Sequence, residues 1–274
     1  MIETVVWWQA LVLGVIQGLT EFLPVSSSGH LVVAEALFGI HQGGLALVML
    51  VHAGTLLAVA IVFRAEVIEL ARGTLALPFS IFRPWSQWPT PVRHAALAIL
   101  ATIPGAVAGV LLKKPIEGAF SDLGQMGWQF IVTGLLLLAT RWVPAGSGEV
   151  TPMSAVLIGI AQAIAIIPAI SRSGATIATA LFLGVERRKA GEFSFVISVP
   201  IILGAVLLEV PDLTGSHFQG QGVPLAIAFF SAFVVGWLSL LWLIRVIRHG
   251  HFHRFAPYCF FAGVVAILLA RRGA

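Results

Sequence analysis

Two short segments place groups that can bind and transfer phosphate inside an otherwise apolar sequence. The first runs from Gly18 to His30 and holds a carboxylate, three consecutive hydroxyls, a glycine and a histidine. The second runs from Gln162 to Gly174 and holds one arginine between two serines. Proteins bind anions with guanidinium groups, hydroxyls and the backbone N–H groups of helix N-termini. The two segments together predict a single phosphate-handling site.

The first segment combines a buried acid with a break between two helices. Gln17 and Glu21 are four residues apart and share one face of a helix. Pro24 is expected to end that helix, and the hydroxyls before Gly29 can cap the next one. N-capping alone would explain these hydroxyls, which are Ser26, Ser27 and Ser28. A carboxylate at membrane depth costs several kcal/mol, so Glu21 favours an anion site.

His30 lies in the first turn of the second half-helix and is a candidate acid or base. Its unperturbed pKa of roughly 6.5 suits proton transfer. A lone histidine is more often a packing residue with its hydrogen bonds satisfied. The nearby carboxylate and hydroxyls favour a functional role here.

Arg172 is the only basic residue inside either segment. A buried guanidinium needs an anion, and its planar fork matches two oxygens of a phosphate. The alternative is an internal ion pair with Glu21, which is compatible with phosphate binding when the site is empty. The neighbouring groups expected to share in binding are Ser171, Ser173, Gly174 and Thr176.

Other polar residues carry weaker signals. His52 and Glu192 could support the site, but each is equally explained as a hydrogen-bonded packing residue. Three alternating histidines also occur on one loop, where a solvated basic turn explains them better than a metal does; they are His249, His251 and His253.

The composition requires a membrane to surround these segments. Of 274 residues, 58% are hydrophobic and 10% are charged, with a mean hydropathy of +0.99. Soluble domains carry about 25% charged residues. The 16 basic residues stand between apolar runs and form no stripe, so they favour membrane topology over nucleic-acid binding. The single cysteine, Cys259, excludes an intrachain disulfide.

The apolar runs predict an all-α membrane protein with about six transmembrane helices and two re-entrant helical hairpins. The hairpins occupy 5–40 and 153–184, where a Pro and a Ser/Gly cluster interrupt each run. Irregular backbone is tolerated at membrane depth only where protein or a water-filled cavity covers it. Ordinary helices kinked at Pro24 and Pro168 are the alternative. The six spanning runs are 45–63, 95–112, 127–143, 193–209, 223–244 and 255–270.

Charge and internal similarity both favour an inverted repeat within one membrane domain, 1–274. If both hairpins enter and leave on one side, eleven basic residues lie inside and four outside. Segment 64–94 is then a long loop on the inner surface. The repeats would cover about 1–143 and 150–274 and place broken helices face to face. A 145-residue offset matches Gly14 with Gly159, Gln17 with Gln162, Ser26 with Ser171, Ser28 with Ser173, and Gly29 with Gly174.

These motifs resemble the integral-membrane undecaprenyl-diphosphate phosphatases, also called bacitracin-resistance proteins. The family signature E/Q-x-x-x-E followed by FLPVSS-x-GH is similar to residues 17–30, QGLTEFLPVSSSGH. Its P-G-x-S-R-S-x-x-T signature is similar to residues 168–176, PAISRSGAT. The later run 192–200, EFSFVISVP, also resembles the family. Two positions depart from the pattern: Gln17 takes the amide option, and Ala169 replaces a glycine.

The resemblance implies hydrolysis of the C55 polyprenyl diphosphate to its monophosphate, a lipid carrier recycled for peptidoglycan and other envelope polymers. It places the protein in the bacterial plasma membrane, with the site open to the outer, periplasmic face. The implied partners are the lipid substrate and the bilayer, with no nucleic acid. Oligomeric state stays open, and a homodimer is among the options.

The mechanism expected on this basis uses Ser27 as nucleophile and His30 as its base or as acid to the leaving group. Arg172, the Ser171 and Ser173 hydroxyls and the half-helix N-termini would hold the phosphates. Glu21 would orient His30, or hold a Mg²⁺ or Ca²⁺ ion through substrate phosphate, although no cofactor is certain. Attack by water positioned by His30 is an alternative. The rival class is a transporter or flippase of an anionic lipid or solute, because such proteins also use inverted broken helices.

Overall fold

The computed structural model describes residues 5–40, 44–119, 122–210 and 220–271, and these residues fold into helices. They contain no β-strand, only one isolated bridge between Gly148 and Val185. The prediction of an all-α protein is confirmed. The helices are α1 Trp7–Thr20, α2 Ser27–Phe38, α3 Gly44–Val62, α4 Arg64–Ala76, α5 Thr90–Leu111, α6 Lys113–Ala119, α7 Leu123–Ala139, α8 Pro152–Ile164, α9 Arg172–Phe182, α10 Arg187–Glu209, α11 Gly222–Arg248 and α12 Ala256–Arg271.

The expected six spans correspond to α3, α5, α7, α10, α11 and α12. Within the described ranges, the last five are long and apolar enough to cross a bilayer individually. The sixth candidate is a bent pair, Ala46–Val62 with Arg64–Phe79, whose axes differ by 91°. Large apolar side chains face outward along the chain, including Phe82 at 90% exposure and Leu111 at 74%. Such a surface suits lipid, so the chain is a multi-pass membrane protein.

The prediction of a loop over 64–94 is wrong at both ends, where α4 forms and where α5 begins at Thr90. The segment from Arg64 to Ala76 is rich in Ala, Glu, Leu and Arg, all strong helix formers. The sharp bend at Phe63 separates it from α3, so its charged residues need not enter the span. The apolar pattern indicates where the span ends, but not that a helix follows it.

Each predicted hairpin is a pair of short helices joined by a tight turn. In the first, α1 and α2 contain 14 and 12 residues; in the second, α8 and α9 contain 13 and 11. At 1.5 Å per residue these helices are about 16 to 21 Å long, shorter than the roughly 30 Å hydrocarbon core. The lengths suit segments that enter the membrane and return, and this placement stays a prediction.

Two helix contacts join the predicted repeats to each other. α1 packs against α11, and α8 packs against α5. A Cβ placed on Gly14 would lie 2.5 Å from the Ala228 carbonyl oxygen, and one on Gly159 would lie 2.6 Å from that of Ala101. The two matched glycines therefore allow equivalent close helix contacts. The repeat and its boundaries stay a prediction, with these contacts in its favour.

Gly159→Ala is expected to lower the apparent melting midpoint of the purified protein by about 2 to 10 °C. The added methyl would meet backbone atoms of Ala101 on α5, which cannot rotate away as a side chain can. Gly109→Ala is the matched control on α5, because no atom of another described element lies within 4 Å of its added Cβ. The midpoint of that control should stay unchanged or rise slightly. Equal midpoints for both variants would contradict the close α5–α8 contact.

Candidate active site

Glu21 is the centre of the polar cluster that the two hairpins form. It lies in the turn after α1 and is only 8% exposed. Its Oε1 accepts a hydrogen bond from Arg172 Nη2 at 2.5 Å. Its Oε2 accepts from Ser27 Oγ at 2.6 Å and from Gln17 Nε2 at 3.1 Å. The structure thus brings together four of the residues that the sequence selected, from both hairpins.

Arg172 reaches Glu21 because it is the first residue of α9. Ser171 caps that helix, and its Oγ accepts from the Gly174 backbone N–H at 3.0 Å. The Ser171 backbone N–H donates to Thr133 Oγ1 on α7 at 3.2 Å. The helix start is therefore fixed from two sides, and its first N–H groups have no partner within the helix. The Arg172 side chain is 18% exposed, so its charge is largely removed from solvent.

The remaining hydroxyls of the second hairpin make structural hydrogen bonds. Ser173 Oγ donates to the Leu23 carbonyl oxygen at 3.3 Å and so ties α9 to the first hairpin. Thr176 Oγ1 donates to the Arg172 carbonyl oxygen at 2.8 Å and lies 2.5 Å from Ser194 Oγ. These side chains are buried. Their expected contact with substrate stays a prediction, whereas their role in holding the turn is visible.

The two hairpins meet where Gly29 lies against Ala169. A Cβ on Gly29 would lie 2.9 Å from the Ala169 Cβ and 2.5 Å from the Phe130 ring. The Ala169 backbone N–H donates to Ser28 Oγ at 3.4 Å. In each hairpin a pair of serine hydroxyls lies 3.2 Å apart, Ser26 with Ser28 and Ser171 with Ser173.

Ala169 stands in a backbone conformation that favours glycine. Its φ is 59°, and Ser26 at the start of α2 has a φ of 67°. For a residue with a Cβ this region costs roughly 1–2 kcal/mol. The substitution of Ala for the glycine of the family motif therefore falls where the backbone does demand a left-handed turn.

His30 faces away from Ser27, and this differs from the expected arrangement. Its Nδ1 lies 2.6 Å from the Ser26 carbonyl oxygen, and its Nε2 lies 2.8 Å from the Tyr258 hydroxyl on α12. Among the described residues, Ser27 pairs with Glu21 and makes no hydrogen bond to His30. Glu21 is consequently placed to act on Ser27, rather than to orient His30.

Two further residues approach the cluster from outside the hairpins. Tyr258 was not selected from the sequence, although it is the only tyrosine in the chain. His52 was a weak candidate; its Nδ1 lies 2.8 Å from the Val48 carbonyl oxygen, and its Nε2 lies 4.0 Å from Glu21 Oε2. A polar residue in the middle of the apolar helix α3 was the available signal for His52. Tyr258 has no local pattern that connects it with residue 30.

Glu192 and the three alternating histidines do not join this cluster. Glu192 accepts from Arg188 Nη1 at 3.0 Å and lines a separate cavity of about 340 Å³ between α4, α5 and α10. His249 bonds to the Arg245 carbonyl oxygen instead. Within the described ranges, no three His, Cys, Asp or Glu residues are arranged as a metal site.

Comparison with known proteins places this arrangement in a family. Residues 10–265 match the family described as bacitracin resistance protein BacA. The chain is 43% identical over 271 residues to an undecaprenyl-diphosphatase of Desulforapulum autotrophicum, covering 95% of this chain and 97% of the relative. It is 42% identical to that of Desulfosudis oleivorans, covering 96% and 98%, and 36% identical to that of Carboxydothermus hydrogenoformans, covering 97% and 98%. This chain belongs to the BacA bacitracin resistance protein family.

Proposed function

We propose that this protein hydrolyses undecaprenyl diphosphate to undecaprenyl phosphate and inorganic phosphate. The relatives are named undecaprenyl-diphosphatases, and they align with this chain over nearly their whole length. The observation that carries the proposal is the chain of hydrogen bonds from Arg172 through Glu21 to Ser27. It joins a phosphate-binding cation, a base and a hydroxyl nucleophile within one partly buried cluster. Release of the lipid carrier would support peptidoglycan synthesis and bacitracin resistance.

Substrate binding activates the cluster by taking Arg172 away from Glu21. In the structure the guanidinium holds one oxygen of the Glu21 carboxylate in an ion pair. A diphosphate offers oxygens that match the guanidinium fork bidentately. Once Arg172 turns to the phosphate, Glu21 becomes a stronger base and keeps its hydrogen bond from Ser27 Oγ. Binding and activation are thereby coupled through one ion pair.

The chemical step forms a bond between Ser27 Oγ and the terminal phosphorus. The Ser27 proton passes to Glu21, and the bond from that phosphorus to the bridging oxygen breaks. Undecaprenyl phosphate leaves as its anion. Water then attacks the phosphoserine and gives a proton to Nε2 of neutral His30. The bond from phosphorus to Ser27 Oγ breaks, Glu21 returns its proton to that oxygen, and phosphate is released. Direct attack by water held at His30 is the alternative, and trapping of a phosphoserine separates the two.

A divalent cation would fit at Gln17 and Glu21, but only with oxygens from the substrate. Gln17 Oε1 is buried and accepts no hydrogen bond from the described residues, so this oxygen lies beside the carboxylate and can take a ligand. Two protein oxygen ligands fall short of the six that Mg²⁺ prefers, so phosphate oxygens and water must supply the rest. When bound, Mg²⁺ or Ca²⁺ would neutralise phosphate charge. Gln17 and Glu21 would be its protein ligands.

We place the protein in the bacterial plasma membrane with the site open to the outer face. The positive-inside bias of the sequence supports this orientation. The prenyl chain would then lie between spans, beside the apolar side chains that face outward. A homodimer stays a prediction.

Transport of an anionic lipid is the second candidate function, because the matched hairpins and their equivalent packing are typical of secondary transporters. Transport requires groups that bind, but it has no use for the Ser27–Glu21 pair. Hydrolysis therefore accounts for more of the cluster.

Purified protein in detergent is expected to release phosphate from a short prenyl diphosphate. The same assay with the prenyl monophosphate should give no release, because the monophosphate lacks the anhydride bond. Phosphate release is measured directly, with heat-treated protein as the blank. An active site assignment would fail if release persisted unchanged in His30→Ala. If the prenyl diphosphate also released no phosphate, transport would be favoured.

A further inference from the structure

Tyr258 on α12 lies directly over His30 on α2. The phenol oxygen is 2.8 Å from His30 Nε2. The two rings stack with centroids 5.6 Å apart and an interplanar angle of 9°. Tyr258 is 45% exposed, so this side of His30 is the accessible one. A contact that combines stacking with a directed hydrogen bond restrains both the position and the rotation of the imidazole.

The partners of the imidazole define where its proton lies. The Ser26 carbonyl oxygen 2.6 Å from Nδ1 can only accept, so Nδ1 carries the hydrogen. A neutral imidazole then presents an unprotonated Nε2 as acceptor. The Tyr258 hydroxyl is the group within reach, and it donates to that nitrogen. The tautomer is thus fixed from both ends of the ring.

We propose that Tyr258 is a positioning residue for His30, resting on the proposed phosphatase function. Its hydroxyl holds the Nδ1–H tautomer and keeps Nε2 directed toward the accessible side. When substrate or water reaches this nitrogen, it replaces the phenol as hydrogen-bond partner. The proton that His30 accepts during the reaction then arrives at Nε2, a nitrogen whose position and unprotonated state were set before the substrate or water bound.

Among the described residues, Tyr258 is the ionisable side chain that contacts the His30 ring directly. α7 contributes the uncharged ring of Phe130, with centroids 5.1 Å apart. α12 also contributes Cys259, which is buried and directed to the Pro24 carbonyl oxygen. Glu21 and Arg172 are paired with each other. Glu35, the other charged residue of the hairpins, is five positions from His30 on α2, so it is not one of the i+3 or i+4 neighbours that share a face with His30. Removal of the phenol hydroxyl should therefore change how readily His30 is protonated.

Tyr258→Phe is expected to lower kcat about threefold to tenfold and leave KM nearly unchanged. The ring still stacks, but no hydroxyl favours the unprotonated Nε2. Protonation becomes easier, so the limb of the pH–rate profile that reports His30 moves to higher pH by about half a unit to one unit. Phe261→Leu is the matched control, because Phe261 is an exposed ring on the same helix. Its profile should match that of the wild type.

A measurement independent of turnover uses the fact that Tyr258 is the only tyrosine. Biosynthetic incorporation of 3-fluorotyrosine therefore gives one ¹⁹F signal. This signal should follow the protonation of His30 and should lose that pH dependence in His30→Phe. Inorganic pyrophosphate, used as a probe, should shift it as the phenol is displaced.

The outcomes separate the two proposals. A Tyr258→Phe profile that superimposes on the wild-type profile, or a ¹⁹F signal indifferent to His30→Phe, overturns the positioning role. Wild-type protein without phosphatase activity would overturn the proposed function. In that case the fluorine signal still decides whether Tyr258 is bound to His30.

Discussion

Arg172→Lys is expected to lower kcat for phosphate release at least 100-fold while the protein remains folded. Lysine keeps the positive charge, so buried Glu21 retains a counter-ion. It lacks the planar fork that holds two phosphate oxygens and stabilises charge as it develops. Removal of one preorganised donor of this kind typically costs about 10²–10³ in kcat. The measurements are kcat on a short prenyl diphosphate and the melting midpoint of the same preparation.

Two further variants make the result specific. Arg188→Lys changes an exposed arginine on α10 that pairs with Glu192 and Glu186, and it should leave kcat unchanged. Arg172→Ala should be inactive and also less stable, by about 3–5 kcal/mol, because it leaves the Glu21 carboxylate buried without a counter-ion. A near-wild-type kcat in Arg172→Lys would show that the guanidinium fork takes no part in phosphate binding.

The sequence could predict the pairing of Arg172 with Glu21 because charges at membrane depth must find partners. Arg172 is the only charged residue of its hairpin, and of the two carboxylates in the other hairpin, Glu21 and Glu35, only Glu21 lies within the polar segment. Apolar run length predicted the spans for a similar reason, since the hydrocarbon thickness fixes how many residues are needed. Energetic necessity, rather than local propensity, made both predictions reliable.

The sequence could not predict which hydroxyl meets which base. Ser27 and His30 are three residues apart on α2, so spacing alone allowed a pair between them. The His30 Nδ1 instead bonds to the Ser26 carbonyl oxygen, which turns the ring toward Tyr258. Tyr258 enters from the last helix, and α4 follows a bend at Phe63 that no apolar pattern marks. Both depend on tertiary packing.

Glu21→Gln is expected to lower kcat by about 10²–10⁴, because the amide cannot take the Ser27 proton. Ser27→Ala should cause a loss of similar size if Ser27 is the nucleophile. The two side chains are joined by a 2.6 Å hydrogen bond and would act as one unit. Glu35→Gln is the matched control: Glu35 lies on α2 in the same hairpin, and its Oε1 has no hydrogen-bond partner in the part of the chain that the structure describes. The kcat of Glu35→Gln should equal that of the wild type.

The double variant Glu21→Gln with Ser27→Ala separates a base acting on the nucleophile from two independent groups. Groups that act as a unit show strongly non-additive losses. The double variant should therefore be no slower than the slower single variant, since a base has no task once its hydroxyl is gone. Losses that multiply would assign Glu21 a separate role, such as holding a cation through substrate phosphate. Rapid quenching that traps phosphoserine in wild-type protein, but not in Ser27→Ala, would complete the assignment.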